Sequence, residues 1–309
     1  MKKILIAFGG NALLRNGDDS TFESQLERAT EAFERISDVI LENNVIITHG
    51  NGPQVGNILL QNEFSQKVTK AMPLHACGAM SQGLIGEILA EAYDSVRLRK
   101  GIMKDASVIL TRTVVDPDDK AFQNPSKPIG PYYDRMTAEG LMKTRNWQMK
   151  EEGNKGYRRL VPSPVPIDIV ERSAIFNCLN DGFMPICTGG GGVPVIKSQR
   201  GFIGTDAVID KDLASSLLAR ILEVDKFVIL TDVKGVYRNY GTPEEELIPE
   251  IKVSELEKDL DSGIFPKGSM GPKVRAAIEF ARASGKEAVI GSLDEAGKVI
   301  DGKSGTVIH

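Results

Sequence analysis

Residues 1–14 read MKKILIAFGGNALL, and the fold follows from how this stretch is interpreted. A basic start followed by apolar residues is also found in signal peptides, but Gly-Gly-Asn breaks the apolar run after only five residues. No cleavage site follows the run. We therefore interpret residues 4–8 as a buried first strand that ends in a glycine turn.

Short apolar runs and helical patterns alternate along the rest of the chain. The apolar runs predict strands at residues 4–8, 45–48, 107–111, 184–187, 226–230 and 287–290. The helical patterns predict helices at residues 22–41, 56–61, 76–98, 167–179, 210–222 and 270–283. This alternation is typical of an α/β protein whose mainly parallel sheet carries helices on both faces.

One segment departs from the alternation. Residues 113–166 contain seven of the fifteen prolines and the only tryptophan, Trp147. Two proline-containing stretches, VVDPDD and VPSPVP, stand at its ends and stiffen the chain there. We expect this segment to form a small protruding subdomain, inserted at the edge of the sheet.

Composition limits the classes of protein to which the chain can belong. Its 309 residues suffice for one large or two medium domains, and a formal net charge of −4 leaves no general basic surface for nucleic acid. No apolar stretch approaches the roughly 20 residues of a membrane span. The three cysteines, Cys77, Cys178 and Cys187, have no metal-ligand spacing and cannot all pair. We expect reduced thiols in a cytoplasmic protein.

Polar or glycine-rich turns follow four of the predicted strands. In open α/β sheets, ligands bind beyond the carboxyl ends of the strands. Glycine N–H groups in such turns can bind an anion, although one Gly-Gly after a strand also serves a tight turn. The P-loop, the dinucleotide-binding G-x-G-x-x-G after the first strand and the protein-kinase signatures are absent from the sequence. The four turns are Gly9-Gly10-Asn11, Gly50-Asn51-Gly52, Gly189-Gly190-Gly191-Gly192 and Thr231-Asp232.

Two lysines stand at predicted helix starts. Asp210 is a good N-cap, which places Lys211 at the positive end of a helix dipole, unfavourable by about 0.3–1 kcal/mol. Lys273 follows a Gly-Ser turn, and Lys127 lies between prolines in the inserted segment. A phosphate at these helix starts would reverse the sign of the dipole interaction, and phosphoryl transfer needs such positive groups. A helix start at Asp206 instead would place Lys211 more than a turn inside the helix and weaken this argument.

The sequence assigns no catalytic role to the three histidines. His49, His75 and His309 form no recognisable catalytic set with a serine or cysteine. We expect His49, at a strand end, to orient the glycine turn that follows it.

Long and unusual motifs carry a resemblance that covers the chain from its first strand to its last helix. The chain resembles the carbamate kinases, a family of the amino acid kinase superfamily. The matching stretches are AFGGNALL, THGNGPQVGN, AMPLHACGAMSQG, VVDPDD, NPSKPIG, VPSPVPIDIVE, CTGGGGVPVI, AVIDKDLAS, ILTDV and GSMGPKVRAAIEF. Two stretches differ: GNKGYRR at 153–159 replaces the family's frequent Gly-Arg-Gly-Trp-Arg, and KGVYRNY at 234–240 lies where relatives vary.

The resemblance implies an activity and an architecture. The activity is reversible phosphoryl transfer between carbamoyl phosphate and ADP, giving ATP and carbamate, with arginine catabolism as the favoured context. The architecture is a homodimer of three-layer α/β/α sandwiches, each with residues 113–166 as a mobile lid. Residues 1–222 would then bind carbamoyl phosphate and residues 223–309 the nucleotide.

The resemblance also implies roles for individual residues, and magnesium would arrive with the nucleotide because no carboxylate cluster is dedicated to a metal. The implied catalytic residues are Lys127, Lys211, Asp212 and Lys273. The implied substrate-binding residues are Gly9, Gly10, Asn11, Gly50, Asn51 and Gly52. The implied nucleotide-binding residues are Asp232, Tyr237, Gly268, Ser269 and Met270, together with Lys273.

Three other functions remain as alternatives. A kinase for another small acceptor, such as acetylglutamate, aspartate or uridylate, is disfavoured by the long insertion with NPSKPIG. A regulatory nucleotide-binding module without catalysis is disfavoured because all four implied catalytic residues are present. A Rossmann oxidoreductase is disfavoured by the missing glycine fingerprint.

Overall fold

The computed structural model describes residues 1–10, 13–14, 19–266 and 268–309. The strands are β1 Lys3–Phe8, β2 Asn44–His49, β3 Ala106–Ile109, β4 Arg112–Val115, β5 Lys127–Tyr133, β6 Gln148–Glu151, β7 Tyr157–Val161, β8 Pro166–Ile169, β9 Met184–Cys187, β10 Val193–Ser198, β11 Gly201–Gly204, β12 Lys226–Thr231, β13 Val236–Arg238, β14 Glu246–Ile248, β15 Glu250–Ile251, β16 Ala288–Ser292 and β17 Thr306–Ile308. The α-helices are α1 Phe22–Glu42, α2 Gly52–Ser65, α3 Leu74–Lys100, α4 Arg135–Arg145, α5 Arg172–Asn180, α6 Lys211–Ile221, α7 Val253–Asp261, α8 Met270–Ser284 and α9 Ala296–Ile300.

The main sheet has eight strands in the order β15-β17-β16-β12-β1-β2-β9-β3. Every neighbouring pair from β16 to β3 is parallel, whereas β17 runs antiparallel to β16. The strand predicted at residues 4–8 lies in the middle of this sheet, paired with β12 on one side and β2 on the other. The expected mainly parallel sheet is therefore confirmed, with an antiparallel edge.

Alternating side chains of β1 enter two separate cores. Ile4, Ile6 and Phe8 pack on one face with residues of α1, α3 and α9. Leu5 and Ala7 pack on the other face with residues of α5, α6, α7 and α8. Both sets are buried because the central strands of a parallel sheet are covered by helices on each side. The predicted three-layer α/β/α sandwich is thus confirmed.

Much of residues 113–166, the segment we expected to protrude and call the lid below, folds into a sheet and a helix of its own. Three antiparallel strands in the order β5-β7-β6, together with α4, make up most of the lid. Trp147 is its central aromatic residue, with the guanidinium groups of Arg145 and Arg159 at 5.0 and 4.4 Å from the ring centre. A second sheet, β11-β10-β4-β8, connects the lid to the body.

The helix predicted at residues 167–179 is wrong over its first part. Residues up to Ile169 form β8, which pairs antiparallel with β4, and α5 begins at Arg172. Pro166 and the β-branched Ile167 favour extended backbone, and the pairing of Ile169 with Thr113 stabilises the strand. The predicted helix at 56–61 also begins earlier, at Gly52, with a proline in its first turn.

Two further expectations concern the described residues only. Among them, no helix is both long and apolar enough to cross a membrane. The three cysteines have free thiols, as expected from their number and spacing.

Candidate active site

The carboxyl ends of β1, β2, β9 and β12 meet at one edge of the main sheet. The N–H of Gly9 donates to the carbonyl of Leu230 at 2.9 Å, and the N–H of Gly50 donates to that of Phe8 at 3.2 Å. A Cβ atom added to Gly50 would lie 3.6 Å from the backbone nitrogen of Gly10 and 3.7 Å from Cδ of Lys211. The first two glycine turns therefore lie side by side, against the lysine at the start of α6.

The start of α6 agrees with the prediction made from its N-cap. The side-chain Oδ1 of Asp210 accepts hydrogen bonds from the N–H groups of Asp212 and Leu213, at 3.0 and 3.4 Å. Lys211 is the first residue of the helix, so the alternative start at Asp206 is wrong. A lysine is thus placed at the positive end of the α6 dipole.

Asp212 joins two lysines from different parts of the chain. One carboxylate oxygen forms an ion pair with Nζ of Lys211, and the other accepts from Nζ of Lys273 at 3.1 Å. The side chains of Lys211, Asp212 and Lys273 are only 12, 4 and 17% exposed. Two ammonium groups and one carboxylate leave a net positive charge in a largely buried place, which favours binding of an anion.

Burial and neighbouring charges act in opposite directions on these three groups. Burial alone would raise the pKa of Asp212, but the ammonium groups of Lys211 and Lys273 hold it at about 2. Burial lowers the pKa of Lys211, and its ion pair with Asp212 offsets that only in part. Burial also acts to lower the pKa of Lys273, but Asp212 outweighs it and the pKa is raised. Asp212 is therefore anionic at neutral pH, and so acidic a carboxyl is a poor proton acceptor.

Lys127 reaches this group from the lid. It is the first residue of β5, and its Nζ donates to Oδ2 of Asp210 at 3.0 Å. The four residues that the sequence implied as catalytic thus lie at one place, with Asp210 between Lys127 and the start of α6. The role of Asp210 as a lysine partner was missed, because nothing in the sequence relates two residues 83 positions apart.

A cavity of about 380 Å³ opens beside Lys273. All six residues implied as nucleotide-binding line it, as do Gly9 and Gly10. Sequence reasoning missed the apolar part of its wall, which carries no motif. That part includes Tyr240, Ile264, Phe265 and Pro266. The implied nucleotide-binding residues are Asp232, Tyr237, Gly268, Ser269, Met270 and Lys273.

Comparison with known proteins shows the family to which the chain belongs. The sequence profile of the amino acid kinase family matches residues 2–292. The carbamate kinase of Thermococcus kodakarensis is 46% identical over 312 residues, covering 100% of this chain and 99% of the relative. The carbamate kinase of Thermoplasma volcanium is 48% identical over 308 residues, with coverage of 100 and 99%.

This chain belongs to the carbamate kinases of the amino acid kinase family. Its fold matches a structure of carbamate kinase from Giardia lamblia bound to AMP-PNP, with a TM-score of 0.94 and 43% identity. That match covers 99% of this chain and 98% of the Giardia chain. Membership in this family makes the chain a phosphotransferase.

In this carbamate kinase family member, close side-chain contacts surround the glycine turns. Asn51 donates from Nδ2 to Oγ of Ser81 at 2.8 Å. A Cβ atom on Gly190 would lie 2.2 Å from the Asn51 side chain, and Gly190 also has a φ of +61°, so this position requires glycine. Gly52 is the first residue of α2, and Asn11, expected to bind substrate, lies outside the described residues.

His49 supports the same turns, as expected. Its side chain is buried, and its Nδ1 is 2.9 Å from the carbonyl oxygen of Gly50, to which the protonated nitrogen donates. A Cβ atom on Gly189 would lie 2.5 Å from the His49 ring. Burial lowers the pKa of His49 to about 4, so the ring is neutral at physiological pH. A neutral, enclosed imidazole fits a structural role.

Proposed function

We propose that this protein catalyses reversible phosphoryl transfer between carbamoyl phosphate and ADP, giving ATP and carbamate, which then yields ammonia and CO₂. The observation that carries the proposal is Asp212, which holds Lys211 and Lys273 together where two glycine turns converge. Identity near 46% over the full length to carbamate kinases supports it over a kinase for acetylglutamate, aspartate or uridylate.

The chemistry suits this set of residues. In the direction of carbamoyl phosphate formation, the attacking carbamate oxygen is already anionic and needs no general base. In either direction two anions must be brought into line, and the charge on the transferring phosphoryl group must be stabilised. Lys211 and Lys273 would bind the phosphoryl oxygens, and Asp212 would keep both ammonium groups in place. This division explains how a site without a catalytic histidine can work.

The carbamoyl phosphate side would be formed by residues 1–222. Backbone N–H groups of the glycine turns would bind phosphate oxygens, with Asn11 and Asn51 beside them. Lys127 would close this side from the lid. The turn residues proposed for this role are Gly9, Gly10, Gly50 and Gly52.

The nucleotide side would be formed by residues 223–309. These contribute every residue of the 380 Å³ cavity wall except Gly9 and Gly10. Tyr237 and Tyr240 pack with ring centres 5.6 Å apart and offer an aromatic surface to a base. The structural match to a Giardia lamblia relative bound to AMP-PNP, an ATP analogue, supports nucleotide binding here.

Magnesium would enter as part of the nucleotide substrate. No group of three or more His, Cys, Asp or Glu side chains able to hold a metal occurs among the described residues. Asp232 is the acidic residue in the described cavity wall, and Mg²⁺ commonly needs only one or two carboxylates besides phosphate oxygens and water. The residues therefore fit a nucleotide-borne ion, which neutralises phosphate charge when bound.

The assembly we propose is a homodimer in the cytoplasm, working in arginine catabolism. The main sheet ends at β3, and apolar side chains stand exposed around this end. We call Val108, Leu110, Phe176 and Phe183, which are 43, 49, 43 and 41% exposed, the edge patch. A second copy of the chain is the partner that would cover an open strand and an apolar patch together.

A direct assay tests the reaction. Purified protein mixed with Mg²⁺, ADP and carbamoyl phosphate should produce ATP, measured by luciferase luminescence. The same protein with Mg²⁺, ATP and acetylglutamate, aspartate or uridylate should release no ADP. Absence of ATP above the enzyme-free blank would refute the proposed reaction, and ADP release with one of the other acceptors would favour that alternative.

A further inference from the structure

We propose that Asp210 is a positioning residue that fixes the lid lysine, Lys127, over the phosphoryl-transfer site. The proposal rests on the proposed function, because it assigns Lys127 to the carbamoyl phosphate side. Asp210 was expected only to cap α6, and the structure gives its carboxylate a second partner.

The two oxygens of Asp210 serve two different parts of the molecule. Oδ1 accepts from the N–H groups of Asp212 and Leu213, which fixes the carboxylate rigidly on the first turn of α6. Oδ2 accepts from Nζ of Lys127 at 3.0 Å. Because the helix holds the carboxylate in one orientation, Lys127 meets an acceptor at a defined point of the body.

Lys127, the partner of Asp210, is held in place within the lid by the lid sheet. Lys127 pairs with Val161 in the lid sheet, so a bond to its side chain ties both β5 and β7 to α6. The Asp210 side chain is 13% exposed and that of Lys127 is 38% exposed. The ion pair lies at the rim of the site, partly shielded from solvent, where such a contact is stronger than on an open surface.

The position of Asp210 also connects it to the reacting groups. Asp210 directly precedes Lys211, whose Nζ is ion-paired with Asp212. With no anion bound, Asp210 neutralises Lys127 and keeps it beside the other two lysines. A phosphate arriving at the site then meets a lysine that is already in place. Less conformational entropy of the Lys127 side chain is therefore lost on binding.

Substitution by asparagine separates the two roles of Asp210. Asparagine caps helices about as well as aspartate, so D210N keeps α6 intact. Its amide nitrogen, however, would face Nζ of Lys127, and two donors cannot bond. D134N is the matched control, because Asp134 caps α4 through the N–H of Thr137 and forms no ion pair with a lysine in the described part of the chain.

Trp147, the only tryptophan, reports on the lid without any assay of activity. It lines a cavity of about 240 Å³ between the lid and α2, whose wall includes Leu59 and Glu63. In substrate-free protein, D210N and K127A should each raise the acrylamide quenching constant of this residue by about 1.5-fold or more, and the double variant should rise no further. D134N should match the wild type. Equal quenching in wild type and D210N would overturn the proposal.

Kinetics test the positioning role itself. D210N should lower kcat/KM for carbamoyl phosphate about tenfold while changing KM for ADP less than twofold. In a K127A background, D210N should change kcat/KM less than twofold, because it acts through Lys127. Equal losses in the wild-type and K127A backgrounds, or a loss confined to thermal stability, would show that Asp210 only caps the helix. A wild-type protein that makes no ATP would refute the proposed function, whereas the quenching experiment decides the Asp210–Lys127 contact independently.

Discussion

At the scale of single residues, the misfit of Lys211 in the sequence has a structural explanation. A lysine at the positive end of a helix dipole is unfavourable, yet the side chain is also almost completely buried. Asp212 compensates for part of this cost by pairing with both lysines. In the proposed reaction, the remaining positive charge would bind phosphate, so a cost paid in the free protein would favour substrate binding.

Replacing Lys211 should therefore affect the chemical step. We expect K211A to lower kcat by a factor of 100 or more, since removing one transition-state contact costs about 3–4 kcal/mol. K298A, at an exposed lysine of α9 paired with Glu295, should leave kcat unchanged. Steady-state kinetics with carbamoyl phosphate and ADP provide the measurement. A change confined to KM would mean that Lys211 only binds substrate.

The buried His49 leads us to predict how the stability of the protein depends on pH. Its pKa is about 4 in the folded protein and about 6.5 in an unfolded chain, so protons favour the unfolded state. The free energy of unfolding should fall as pH drops from 6.5 to 4, by about 3 kcal/mol from this residue alone. Urea denaturation of wild type and H49Q across this range isolates the histidine. Parallel stability curves for the two proteins would contradict the assignment.

At the scale of elements, close approaches explain why certain positions are glycine. Gly291 lies in β16, where α9 packs onto the sheet. A Cβ atom there would lie 2.5 and 2.8 Å from the methyl groups of Val299, closer than packed atoms allow. α9 can pack this closely against β16 only because Gly291 has no side chain.

A double-mutant cycle can test this contact. G291A should destabilise the protein by about 1–3 kcal/mol, the usual cost of overpacking a core. In a V299A background, which removes both methyl groups, the same change should cost at least 1 kcal/mol less. The midpoint and slope of urea unfolding give the four stabilities. Equal costs of G291A in both backgrounds would show that the clash is relieved elsewhere.

At the scale of the whole molecule, the two edges of the main sheet differ in the strands that end them. One edge is formed by the short strands β17 and β15, which pair parallel with each other and run antiparallel to β16, whereas β3 ends the other edge beside the edge patch. An unpaired strand with exposed apolar side chains invites association.

We expect the protein to sediment at twice its chain mass of 33.6 kDa. Replacing Val108 and Leu110 of the edge patch by glutamate should shift it towards the monomer, because charge is costly in an apolar interface. The same changes at Phe64 and Val68, apolar residues that are 81 and 92% exposed elsewhere, are the control. A wild-type monomer, or an edge-patch variant that remains dimeric, would contradict this interface.

The sequence by itself determined the parallel α/β framework, the turns at the carboxyl edge and the cap of α6. These are encoded locally, in hydrophobic periodicity, glycine turns and N-cap chemistry, which act over a few residues. Periodicity failed at residues 166–169, where pairing with β4 rather than local preference selects a strand. Family resemblance supplied the site residues that no local pattern identifies.

Only the tertiary structure decided which charged groups meet. Asp212 bonds Lys273 across 61 positions of the chain, and Asp210 bonds Lys127 across 83. Such pairs depend on the order of strands in the sheet and on where the lid returns to the body. A sequence read locally carries no information on that order, because many topologies satisfy the same hydrophobic pattern. The sequence thus placed Lys211 and Lys273 at helix starts and Lys127 between prolines, and the fold determined the partner of each.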